Sequence, residues 1–148
     1  MLNLGLLGAG LVMGIAALGS GIGIGIAGMA TIGAWKKCYV ANKPAPMTLL
    51  AFAGAPLTQT FYGYILMGQI KTAAMAAANA NNGWLYVGFG LASGFAMAFS
   101  AIAQGRAGAA AADAQGETGK GFAQYIAVVG ICETVALFAM VLSMISLN

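Results

Sequence analysis

The chain contains no histidine, two cysteines, three prolines, and only six basic and three acidic side chains in 148 residues. Each shortage excludes something. Without histidine there is neither a histidine-ligated metal centre nor a histidine general base. Cys38 and Cys132 lack the close spacing of a metal motif. One falls in a polar stretch and the other in an apolar run, which argues against a disulfide. Charged residues make up 6% of the chain, against roughly a quarter in soluble domains, so an ordinary water-soluble globule is excluded. The basic residues are scattered, with no stacking aromatics among them, so the net charge of +3 does not indicate a nucleic-acid partner. Disorder is excluded by a hydrophobic fraction of 61%. What remains, with a mean hydropathy of +0.89, is an integral membrane protein. Its 23 glycines suit transmembrane helices that approach backbone to backbone.

Four apolar stretches are predicted as membrane helices, at about 4–35, 47–78, 84–112 and 122–147. Each exceeds the roughly 20 residues needed to span a bilayer. None shows the period-2 alternation of strands. The breaks are Lys36 to Pro44, Ala80-Asn81-Asn82-Gly83, and a polar loop with Asp113, Glu117 and Lys120. The first stretch lacks a basic leader and runs far past a signal-peptide core, so it is read as a retained helix. Lys36, Lys37, Lys43, Arg106 and Lys120 lie at the first and third connections. The positive-inside rule then puts these connections in the cytoplasm and both termini outside. Trp84 and Tyr86 read as interfacial anchors on the outer side.

The chain is also internally duplicated. Ser20-Gly21 aligns with Ser93-Gly94, and Thr58-Gln59-Thr60 with Cys132-Glu133-Thr134, at separations of 73 and 74 residues. The fold expected is therefore all-α, with two tandem parallel helical hairpins, 1–78 and 79–148. Repeats that cannot bury their faces alone stack with neighbours, so a homo-oligomeric ring is expected, with the first and third helices inside.

Glu133 is the only acidic residue within an apolar stretch. A carboxylate at mid-helix costs on the order of 2.5–3.5 kcal/mol on insertion scales, and marks function by default. The plainer alternative is a protonated Glu making an interhelical hydrogen bond. Thr58, Gln59 and Tyr62 border one face of the second helix. Pro56 leaves the Phe52 carbonyl without its usual donor, and the third helix adds Gln104. Singly, Thr and Gln often act only as interhelical glue. Together, one carboxylate, two amide oxygens, a hydroxyl and a backbone carbonyl form an all-oxygen set suited to a hard cation. A single negative charge fits a monovalent ion, and the extra oxygens favour Na⁺ or Li⁺ over a bare proton. Tyr62 can donate to Glu133 and hold the carboxylate ionised.

The string Gly23-x-Gly25-x-x-Gly28 is not a phosphate loop, since no strand precedes it and no Lys-Ser/Thr follows. Gly19-Gly23 and Gly21-Gly25 are instead GxxxG spacings in a helix made nearly smooth by glycine.

These features together resemble the proteolipid (c or K) subunit of V-type/A-type rotary ATPases, over nearly the whole chain. The resemblance is carried by the doubled hairpin and the glycine-rich first helix. It is also carried by Pro56-Leu57-Thr58-Gln59-Thr60-Phe61-Tyr62-Gly63, Ser100-Ala101-Ile102-Ala103-Gln104-Gly105-Arg106 and Ile131-Cys132-Glu133-Thr134. Sodium-translocating members share a Thr-Gln-x-x-Tyr, a Gln and a Glu on successive helices. The resemblance thus implies Na⁺, in competition with H⁺, bound by Glu133, Gln104, Gln59, Thr58 and the Ala55 carbonyl, with Tyr62 orienting Glu133. Two departures stand out: Ala55 replaces a common Leu, and Pro56-Leu57 stands where the family often has Pro-Gly. Gln59 holds the place of Glu133 in the first repeat, implying one ion per chain. The resemblance further implies a non-catalytic rotor subunit without an ATP site, in a cell membrane of prokaryotic type. Its partners would be identical subunits, a stator subunit bearing a basic residue, soluble central-stalk subunits at the cytoplasmic loops, and lipid. Three alternatives compete: a proton-translocating proteolipid, a small proton-coupled multidrug exporter, and a structural pore. In the exporters the carboxylate normally lies in the first helix and the duplication is absent. A structural pore leaves the converging oxygens unexplained.

Overall fold

The structure, a computed structural model, describes residues 3–76 and 81–147. Within them the chain is helical: α1 (Leu4–Val40), α2 (Leu49–Gly54), a 3-10 turn (Ala55–Leu57), α3 (Thr58–Met75), α4 (Gly83–Thr118) and α5 (Phe122–Ser146). α1, α4 and α5 are each long and apolar enough to cross a membrane. The fourth expected helix is α2, the turn and α3 taken together. Pro56 sits in the turn, where it withholds a backbone donor. Leu57 keeps right-handed helical angles (φ −74°, ψ −28°), so the rod is tightened there without being broken. Positions 77–78 of that predicted helix, and Ala80 of the predicted break, lie outside the described residues. Among the described residues the protein is all-α, a multi-pass membrane protein of four helical rods.

Two predicted helix ends move outward. α1 continues to Val40, past the expected end near residue 35. It stops where Asn42 takes a left-handed conformation (φ 52°), while Lys43 N–H reaches the Cys38 carbonyl (2.9 Å) and Asn42 N–H that of Tyr39 (3.1 Å). This is a Schellman closure with Asn in the glycine place. α4 likewise runs past residue 112, so Asp113 and Glu117 lie on a helix and not in a loop. The alanine run before them favours helix, and Gly119, at φ 67°, ends it. One turn apart, Asp113 and Glu117 both pair with Lys37 Nζ (2.7 and 2.8 Å). Their hydrogen bonds raise the Lys37 pKa above the ordinary lysine range. At 1.5 Å per residue α1 is about 55 Å long, whereas the hydrocarbon core is about 30 Å. This ion triad therefore belongs to a projecting end.

Two further expectations are corrected. Cys38 is not a loop thiol: it is buried on α1, with its Sγ 3.4 Å from the Gly116 carbonyl. Tyr86 is not an interfacial anchor: it is 3% exposed and donates to the Ala73 carbonyl. Trp84, 74% exposed, faces outward.

α1 and α4 form one layer. Gly8 meets Gly90, Gly23 meets Gly105 and Ala34 meets Gly116, so the contacts advance together and the helices are parallel. A Cβ at Gly23 would overlap the Ala101 carbonyl, and one at Gly105 the Gly23 backbone. That is the backbone-to-backbone approach that small residues permit. The other layer is the α2–α3 rod, antiparallel on α1, and α5, antiparallel on α4. Apolar cores lie at both ends, one around Val12, Leu66, Ile70 and Met97, the other around Leu49, Phe52, Ala112 and Val129. Between them is a polar band.

Candidate functional site

The polar band joins α3, α4 and α5 at Glu133, which lies near the midpoint of α5. Both its oxygens are engaged. The Tyr62 hydroxyl donates to Oε1, and Gln104 Nε2 donates to Oε2 (3.3 Å). The same Gln104 nitrogen donates to the Val129 carbonyl (3.1 Å), while Gln104 Oε1 accepts from Gln59 Nε2 (2.8 Å). Gln59 and Gln104 are fully buried. Burying a polar side chain is tolerated when its hydrogen-bonding capacity is met, as it is here between two helices.

The start of α3 supplies the rest. Thr58 Oγ1 donates to the Ala55 carbonyl (3.1 Å) and lies 3.3 Å from Gln59 Oε1. The residues singled out in the sequence, Thr58, Gln59, Tyr62, Gln104 and Glu133, thus form one connected chain, with the Ala55 carbonyl at its edge. The Phe52 carbonyl does not join them. It packs instead against Gly108 on α4, where a Cβ would come within 2.7 Å of its oxygen, one turn beyond Gln104.

Sequence reasoning missed one member. Ser100, buried on α4 one turn before Gln104, donates to the Cys132 carbonyl (2.6 Å) and accepts from Gln59 Nε2 (3.4 Å). Its signal was the four-residue spacing to Gln104, which places both on one helical face. The Val129 and Cys132 carbonyls carry no side-chain signal.

The arrangement holds one carboxylate among neutral oxygens in an otherwise apolar bundle. Among the described residues no cluster of three or more His, Cys, Asp or Glu could hold a metal ion, so the chemistry centres on a single ionisable group. No curated protein matches the chain. Residues 87–146, most of α4 and all of α5, match the family model for the C subunit of ATP synthase. The matched segment holds Ser100, Gln104 and Glu133, and the similarity is to that family over this segment.

Proposed function

We propose that this chain is the membrane rotor subunit of a V/A-type rotary ATPase, and that it carries Na⁺ on Glu133. The observation that carries this reading is the linked set of oxygens around the one mid-membrane carboxylate. Glu133, Gln104, Gln59, Thr58 and the Ala55 carbonyl are the ligands, and Tyr62 orients Glu133. Hard monovalent cations take such oxygen donors. A site serving protons alone needs only the acid and one donor, so the buried glutamine pair favours the larger ion. Gln59 stands where the first repeat would carry a second acid, so each chain carries one ion.

Many copies form a ring that turns against a stator subunit bearing a basic residue. The ion-loaded carboxylate is nearly neutral and can face hydrocarbon, whereas the empty one is held near the stator's charge. Ion passage and rotation are thereby coupled. The soluble stalk docks at the projecting ends of α1 and α4, on the cytoplasmic side.

Radioactive sodium binding to purified rings tests this. The wild type should bind one Na⁺ per chain, and Glu133→Gln none. Saturating binding that survives Glu133→Gln would refute the site. No sodium binding by the wild type would leave a proton-carrying rotor as the reading.

A further inference from the structure

Ser100 belongs to no ligand set, yet it touches two elements of the site. Its hydroxyl proton goes to the Cys132 carbonyl at 2.6 Å. A hydroxyl has one proton and two lone pairs, so towards Gln59 it can only accept. Gln59 Nε2 has two protons, and both are directed: one to Gln104 Oε1 at 2.8 Å, the other to Ser100 Oγ at 3.4 Å. Turning the Gln59 amide over would set its oxygen against two acceptors at once. The opposite end of the amide, Oε1, is thereby held 3.3 Å from Thr58 Oγ1.

We propose that Ser100 is a positioning residue that locks the Gln59 amide with its oxygen towards the cation. It acts through Gln59 and does not ligate the ion. This inference rests on the sodium reading above. Without Ser100, the Gln59 nitrogen keeps only Gln104 Oε1 as acceptor, beside the 3.3 Å contact of its oxygen with Thr58 Oγ1, and part of the population turns its nitrogen to the ion, where it repels.

The test is a double-mutant cycle on intact rings, with Ser100→Ala, Gln59→Ala and the double variant, read as the half-saturating concentration in radioactive sodium binding. Ser100→Ala should raise that concentration about 3- to 10-fold, the range that one buried hydrogen bond commands. In the Gln59→Ala background the same change should add less than about twofold, because residues acting through one another are not additive. Carbodiimide labelling of Glu133 without sodium should match the wild type, showing the acid still in place. Unchanged affinity in Ser100→Ala overturns the proposal. So does full additivity with Gln59→Ala, which assigns Ser100 to pinning α5 through Cys132. Loss of ring assembly in Ser100→Ala likewise makes it a helix-packing residue and overturns the role. A wild type that binds no sodium instead fails the underlying reading, and is told apart by that control.

Discussion

Glu133 has one oxygen on Tyr62 and the other on Gln104, and the two contacts differ in what their loss removes. Tyr62→Phe deletes one hydrogen bond, typically about 0.5–1.5 kcal/mol and up to roughly 3 kcal/mol when the partner is charged. It should weaken sodium binding without abolishing it. Gln104→Ala removes a neutral oxygen and also frees Gln59 Nε2 and the Val129 carbonyl. It should weaken binding more than Tyr62→Phe, and sodium-binding isotherms would rank the two. Most of this site was legible because Glu, Gln and Tyr are conspicuous in apolar runs. Ser100 was not, since serine is unremarkable in a membrane helix, where its hydroxyl can bond a backbone carbonyl. That the Phe52 carbonyl lacks its usual donor can be inferred from Pro56, but its direction, towards Gly108, cannot.

At the level of helices, α1 and α4 are held by the absence of side chains. Gly19 and Gly23 meet the backbones of Ala98 and Ala101, whereas at Gly21 and Gly25 a Cβ would meet no neighbouring atom of the described residues within 4 Å. Two GxxxG pairs that look alike in sequence therefore point to opposite sides, a helical phase that spacing alone left unassigned. Gly23→Val should destabilise, by at least the 1–3 kcal/mol or so typical of overpacking, because the obstacle is backbone. Gly21→Ala should leave the packing of α1 on α4 within one chain intact, because that glycine points away from α4. Thermal unfolding in detergent would compare them. The four rods were readable from hydropathy. Where α1 and α4 end was not, because hydropathy falls at Lys37 and Asp113 while helix formation continues. The partnership between these charges joins residues far apart in sequence.

For the molecule as a whole, the proposed contact with a soluble stalk lies at the projecting ends of α1 and α4. Lys43 is exposed in the first connection, and Cys38 is buried beside it. A Lys43→Cys variant in a Cys38→Ala background should react with a membrane-impermeant thiol reagent from the cytoplasmic side. Native Cys38 should stay protected until the fold opens. Labelling of Lys43→Cys only from outside would reverse the orientation read from the basic residues.

The central claim is that Glu133 carries sodium, and competition at its carboxyl group addresses it most directly. Carbodiimides react with the protonated acid, and a bound Na⁺ excludes that proton. Labelling of Glu133 should therefore be slowed by added NaCl. The protection should strengthen as pH rises, because fewer protons then compete for the same oxygens. The measurement is the rate of labelling on purified rings, across sodium concentrations from neutral to alkaline pH. Sodium-dependent slowing that grows with pH is the predicted result. A rate indifferent to sodium over that whole range would contradict the account and leave Glu133 a carrier of protons.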